Sequence, residues 1–247
     1  MRMHIRLFVL VAVLLGSCLA SFTLKAAKVR AVAALAASLT VGSPAICDDG
    51  GNVRVLLANG AESFRKGSAR ESVEAFDKAL SLEPKLLPSL WQRGLAQYAA
   101  DMYEECSEQF RADLNIASHA GDSEEWVFAC ACDAKRGVST APLLAIASSD
   151  RLEDRRPIMN QVWRVFSGED GVTTLLKEAS SASTSPSPLD QQRAFYALFY
   201  AGLYNDALLK DSERALTLYG EALGLPYASF SNDYMVATCK TLLKKHT

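Results

Sequence analysis

Few residues in this chain are of a type and spacing that could do chemistry. Its 247 residues hold three histidines and six cysteines. His4 lies near the start and His246 next to the last residue, so His119 is the one internal histidine. A Ser-His-Asp or Cys-His catalytic pair would have to be built on it, because a hydroxyl or thiol nucleophile needs a base within hydrogen-bond reach. No G-x-S-x-G elbow, phosphate loop or G-x-G-x-x-G accompanies it. His119, between Ser118 and Gly121, is read as a solvated loop residue, and a hydrolase built on it and a cysteine is the enzymatic alternative. Cys130 and Cys132 are two apart; on a helix their thiols diverge by roughly 200°, so they can neither share a metal nor bond each other. Cys106, Cys130, Cys132 and Cys239 are read as buried free thiols, with a disulfide between distant helices as the alternative in an oxidising compartment. The carboxylate pairs Glu104-Glu105 and Glu124-Glu125 are adjacent, do not converge on one point of a helix, and are read as solvated faces. Asp150–Arg156 reads as a mixed-charge turn. Neither a metal site nor a cofactor is expected, and no enzyme activity.

Charge narrows the partners. The formal net charge is −2, but residues 1–45 hold Arg2, Arg6, Lys25, Lys28 and Arg30 and no acid. Without that stretch the net charge is −7. An acidic protein binds phosphate backbones and anionic membrane surfaces poorly, which argues against nucleic-acid partners.

The same stretch, 1–45, is expected to be a cleaved leader. Apolar runs at 7–20 and 31–39 flank a basic spacer. Each is shorter than the roughly 20 residues that span a bilayer, so no stable span is expected in the mature chain. The first run has the basic start and small-residue end of a secretory signal. The second ends at Ser43-Pro44-Ala45. Two signals joined by an acid-free spacer resemble the layered leader of an alga with a secondary plastid, which implies a plastid location, in the thylakoid lumen. Leu15-Gly16-Ser17-Cys18 is also similar to a bacterial lipoprotein box, implying a lipid anchor in an envelope. A single ordinary secretory signal is the third reading.

The elements that must position any functional residue repeat at a period of 34. Gly60 matches Gly94, Phe64 matches Tyr98, Glu71 matches Glu105, Ser72 matches Cys106, Phe76 matches Phe110 and Leu80 matches Leu114. Each unit reads as two helices. In the first, 53–66 carries Leu56, Gly60 and Phe64, Gly67-Ser68 breaks it, and 69–82 carries Val73, Phe76, Ala79 and Leu80 on one stripe before Pro84. Close helix packing leaves room only for small residues, so Gly60 and Gly94 are expected to face Ser72 and Cys106, with Phe76 and Phe110 filling the space towards the next helix.

This pattern resembles the tetratricopeptide repeat (TPR): Gly at the eighth position, a small residue at the twentieth, an aromatic at the twenty-fourth and Pro at the thirty-second. Gly60, Ser72, Phe76, Ala79 and Pro84 carry the match in the first unit, and Gly94, Cys106 and Phe110 in the second, which departs with Asp113 and Ser118. Repeats are expected at about 53–86, 87–120 and 195–228. The third, with Gly202, Ala215, Tyr219 and Pro226, has 13 residues from Gly202 to Ala215 where the regular unit has 12, hence one inserted residue. A capping helix is expected at 231–245. Between the repeat regions, helices are expected at 124–135, 157–166 and 171–179, and 180–188 (SSASTSPSP) is read as a loop without core. The expected fold is all-α, a solenoid of antiparallel hairpins over 46–247, similar to TPR lipoproteins of bacterial envelopes and their plastid homologues.

The resemblance implies a concave groove lined by the first helix of each hairpin. Carried over by position, the lining is Arg54, Leu57, Phe64 and Arg65, then Trp91, Leu95 and Tyr98, with Ala61, Pro88 and Ala99 beside them; the other reading is that Phe64 and Tyr98 simply pack between hairpins. It implies a non-enzymatic adaptor or assembly factor that binds a partner polypeptide. The alternative is an envelope lipoprotein that scaffolds cell-wall enzymes.

Overall fold

The computed structural model describes residues 52–116, 123–141 and 154–245, all within the compact unit Asp48–Thr247. The expected leader, all three histidines and most of the 150–156 turn lie outside the described residues. Among the described residues there is no strand. The helices are α1 (Val53–Arg65), α2 (Ala69–Leu82), α3 (Trp91–Ala99), α4 (Tyr103–Leu114), α5 (Ser123–Arg136), α6 (Pro157–Phe166), α7 (Thr173–Ser183), α8 (Pro188–Tyr204), α9 (Ser212–Leu223), α10 (Pro226–Phe230) and α11 (Tyr234–Lys245). A 3-10 turn, Pro84–Ser89, leads into α3, and a π turn, Asn205–Leu209, follows α8.

Local chemistry sets the boundaries. The Asn52 side chain accepts the Arg54 N–H at 3.0 Å and starts α1. Gly67, at φ 82°, turns the chain into α2. Proline opens α6, α8 and α10, where no helical N–H partner is lost. Asp211 caps α9 by accepting the Arg214 N–H at 3.0 Å. Two sequence expectations change here. Residues 180–183 belong to α7, and Ala182 is fully buried. The carbonyls of Ser183 and Ser185 both accept from the Gln191 side chain, which holds the short turn into α8.

Successive helices pack on each other: α1 on α2, α3 on α4, α4 on α5, and α8 between α7 and α9. Three hairpins share one contact. A Cβ built on Gly60 would stand 2.9 Å from the Phe76 ring, one on Gly94 2.7 Å from Phe110, and one on Gly202 2.6 Å from Tyr219. Each ring therefore rests on the bare backbone of its own hairpin. Sequence reasoning aimed Phe76 and Phe110 only at the following helix. Phe110 does both, since it also stacks on Phe128 of α5 with centroids 5.5 Å apart. The Ser72 hydroxyl donates to the Gly60 carbonyl at 2.7 Å, so that pair does face each other. The π turn sits between Gly202 and Ala215 and takes up the additional residue, with Lys210 at φ 57° closing it.

Cys106 corrects a sequence expectation. It forms a disulfide with Cys132, Cα–Cα 6.0 Å, joining α4 to α5. Cys106 occupies the small-residue position at the hairpin and Cys132 faces it from the next helix, so the thiols are buried and adjacent. Cys130 and Cys239 are free and buried.

The last helix closes the array. α11 packs on α9, and also on α1 and α3 at the other end of the described chain. Its Thr241 hydroxyl reaches the Phe64 carbonyl at 3.3 Å, and Lys245 pairs with Asp101.

Two stability outcomes follow. Bridging residues 26 apart removes roughly 3–4 kcal/mol of loop entropy from the unfolded chain. Reduction, or Cys106→Ser with Cys132→Ser, should lower the denaturant midpoint by a corresponding amount, and non-reducing peptide mapping should recover the 106–132 linked pair. Gly94→Ala should cost about 1–3 kcal/mol through the clash with Phe110. Adding Phe110→Leu should return part of that loss, read as non-additivity in a double-mutant cycle.

Candidate functional site

The seven groove positions separate in the structure. Phe64, Leu95 and Tyr98 are buried, at 0 %, 1 % and 0 % exposure. The Phe64 ring stacks on Tyr234 of α11 with centroids 5.1 Å apart, and Trp91 meets the same tyrosine edge-on at 5.2 Å. Arg65 lies over the Tyr234 ring and donates to the Asn232 carbonyl at 3.2 Å. Leu57 is partly buried and Arg54 exposed. The protein's own α11 covers Phe64 and packs against Trp91. The physical reason is the apolar stripe of α11. Tyr234, Met235, Cys239 and Leu242 need burial, and Phe64 and Trp91 offer the nearest aromatic surface.

Tyr98 is anchored from below. Its hydroxyl donates to Asp206 of the π turn at 2.8 Å, and Lys135 of α5 pairs with the same carboxylate at 3.0 Å. Lys135 also lies over the Tyr103 ring. Burial, then the Asp206 charge, pushes the Tyr98 phenol well above its usual range, so it stays a neutral donor. This cluster ties α3, α5 and the π turn together.

What stays open is a cavity. Trp91 and Leu95 line a space of about 250 Å³ with Phe110, Phe128, Met235, Glu124, Glu125 and Arg156. Ligand pockets generally begin near 300 Å³, so this one suits a single large side chain better than a cofactor. Its floor is aromatic and aliphatic, from α3, α4, α5 and α11. Its polar side is built from the start of α5 and the residue before α6.

That polar side is one network. Arg156 pairs with Asp154 at 2.9 Å and with Glu124 at 3.1 Å, and its guanidinium lies over the Tyr196 ring. The Tyr200 hydroxyl donates to Glu124 at 2.8 Å. Tyr196 and Tyr227 both donate to Asp233, at 2.9 and 2.7 Å. The Ser123 hydroxyl donates to Asp154 at 2.9 Å. Burial pushes the Glu124 carboxyl above its ordinary value, against the pull of Arg156 and Tyr200. For Asp154, burial also acts upward, but hydrogen bonds from Arg156 outweigh it and the carboxyl titrates lower. Burial pushes the phenols of Tyr196 and Tyr200 up, with the Glu124 charge adding to it.

The tyrosines are held neutral. Burial raises the Cys130 thiol to about 12, so it carries no thiolate at neutral pH. Among the described residues no group of three His, Cys, Asp or Glu could hold a metal ion, and no helix is long and apolar enough to cross a membrane. His119 lies outside the described residues.

Glu124, Glu125 and Arg156 were missed by sequence reasoning, which placed all three on solvated surfaces. A signal existed. In α5, Ser123 and every residue from Trp126 to Asp133 are buried. A helix covered all round has no solvated face, so acids in its first turn must end against other elements. Comparison with known protein families finds no match for this chain, and comparison with curated proteins finds none.

Protonation gives a test of this network. Because the folded-state pKa of Glu124 is raised, the folded chain holds this proton more tightly than the unfolded chain. Stability from this group is therefore lost as pH rises from the ordinary 4.5 through the folded value. Glu124→Gln should flatten the decline of unfolding free energy over that window, measured by urea denaturation at a series of pH values. An unaltered slope would show that the carboxyl titrates normally.

Proposed function

We propose that the chain is a TPR-type solenoid and that it acts as a non-enzymatic adaptor or assembly factor, holding a partner polypeptide in the hollow beside Trp91. The repeat reading is supported by the period of 34 and by the ring-on-glycine contact at Gly60, Gly94 and Gly202. The single observation that carries the binding role is the cavity walled by the partly exposed Trp91, on the side of α3 where the repeat pattern puts its inner face. Binding energy concentrates in a few aromatic anchors, and a tryptophan beside an unfilled space is such an anchor.

The proposed compartment is a plastid, in the thylakoid lumen, with a bacterial-type envelope as the alternative. The acid-free leader supports export, and the Cys106–Cys132 bridge is at home in an oxidising compartment of either kind. In the plastid setting the partner class is subunits of photosynthetic complexes or proteases.

Trp91→Ala tests the adaptor reading. It should reduce capture of cross-linked partner chains by about tenfold or more while the circular dichroism and denaturant midpoint stay near wild type. Capture that is undiminished would discard the hollow as the binding surface. Amino-terminal sequencing of the mature protein tests the compartment: a start near Ile46 supports the lumen, and a lipidated Cys18 moves the protein to an envelope.

A further inference from the structure

The seam between α4 and α5 carries two clasps on neighbouring residues. One is covalent, the Cys106–Cys132 bond. The other is ionic. The fully buried Asp133 accepts the Ser107 hydroxyl at 2.6 Å and pairs with Arg111, while Arg136 reaches both Asp133 and Glu104, at 3.6 and 2.9 Å. Residues four apart share a helix face, so Cys106 stands one turn from Phe110 on α4, and Cys132 one turn from Phe128 on α5. Phe110 and Phe128 stack with centroids 5.5 Å apart, hence the bond and the ring stack are successive layers of one seam. Phe110 is held from behind, where its ring rests on Gly94 with no room for a methyl group. Phe128 meets ring edges instead, those of Tyr98 and Tyr200, at 5.9 and 6.3 Å. Both phenylalanines line the hollow beside Trp91.

We infer that the Cys106–Cys132 bond is a redox-sensitive switch whose state is read at the aromatic layer beside Trp91. A dithiol reductant breaks the Sγ–Sγ bond, passes two electrons and two protons, and leaves as its own disulfide, with thiols at Cys106 and Cys132. Two unbonded thiols take more space than a bonded pair, and both cysteines sit at 0 % exposure in close-packed surroundings. The seam must therefore widen on reduction. α4 cannot retreat towards α3, because the Phe110 ring already fills the gap over Gly94. The displacement falls on α5, and Phe128 moves with Cys132 because one helix carries both. The ionic clasp keeps the two helices paired meanwhile, so reduction alters the packing without unfolding the chain. Among the described residues, no thiol can attack the bond: burial pushes Cys130 up to about 12 and raises Cys239 too, so neither carries a thiolate at neutral pH. The state of the switch is thus set by an external dithiol, which reaches the sulfurs when α4 and α5 part transiently. This coupling holds whatever fills the hollow.

The test takes the full purified chain through a series of reduced-to-oxidised dithiothreitol ratios. Free thiols are counted by mass spectrometry after acid quench and alkylation. The indole N–H resonances are followed in parallel, with Trp91 assigned by Trp91→Phe. The Trp91 resonance should appear at two positions whose populations track the counted fraction of free Cys106 and Cys132, while far-ultraviolet circular dichroism stays at its oxidised value. Cys132→Ser should place it at the reduced position at every ratio, and Cys106→Ser should do the same. Cys130→Ser should keep both positions. Phe110→Leu gives the wedge slack and should shrink the separation about twofold or more. A Trp91 resonance that stays in place while both cysteines are alkylated overturns the switch and leaves the bond a structural pin. Thiols that appear only together with loss of helix overturn it as well. The wild-type titration decides by itself should either serine variant fail to fold.

Discussion

The structure depends on aromatic rings laid directly on glycine backbones. At Gly60, Gly94 and Gly202 a single methyl group would enter van der Waals space already taken by Phe76, Phe110 or Tyr219. Packing density in a protein interior leaves no slack at such a point. The interhelical distance of each hairpin is therefore set by the thickness of a ring. The packing of the helices that follow is built on that distance.

The polar interior answers a second constraint. A chain that wraps helices around a common inside must bury the starts of some of them. Here the start of α5 carries two acids and the approach to α6 carries Asp154 and Arg156. Buried charges are tolerated only when paired and hydrogen-bonded. Arg156, Tyr200 and Ser123 supply those partners, and the same residues then form one side of the cavity. Lys135, Asp206 and Tyr98 solve the same problem across α3, α5 and the π turn. The Coulombic attraction within each cluster opposes desolvation, which still prevails at Glu124.

Much of the helical order was legible in residue spacing. α2 falls on 69–82 as its apolar stripe requires, and the additional residue between Gly202 and Ala215 appears as the π turn. These features are local, and local sequence determines them. Three features were not legible because each joins residues far apart in the chain. Disulfide connectivity cannot be deduced from cysteine positions, and Cys106 looked like any small residue at a hairpin. The covering of Phe64 by Tyr234 joins helices at opposite ends of the described chain. The surroundings of Glu124 and Glu125 include Arg156, from just before α6, and Trp91 of α3, both distant in sequence. Adjacent acids mislead a helical-wheel argument whenever the helix is enclosed on every side.

The meeting of α11 with α1 and α3 has a kinetic consequence. An open stack can grow hairpin by hairpin, since each unit is finished by its neighbour. Here Phe64 and Trp91 keep an uncovered aromatic surface until the last helix emerges and docks. Contacts between such distant segments form late, because a long loop must close before they are rewarded. A nascent chain therefore carries an unfinished amino-terminal half throughout synthesis.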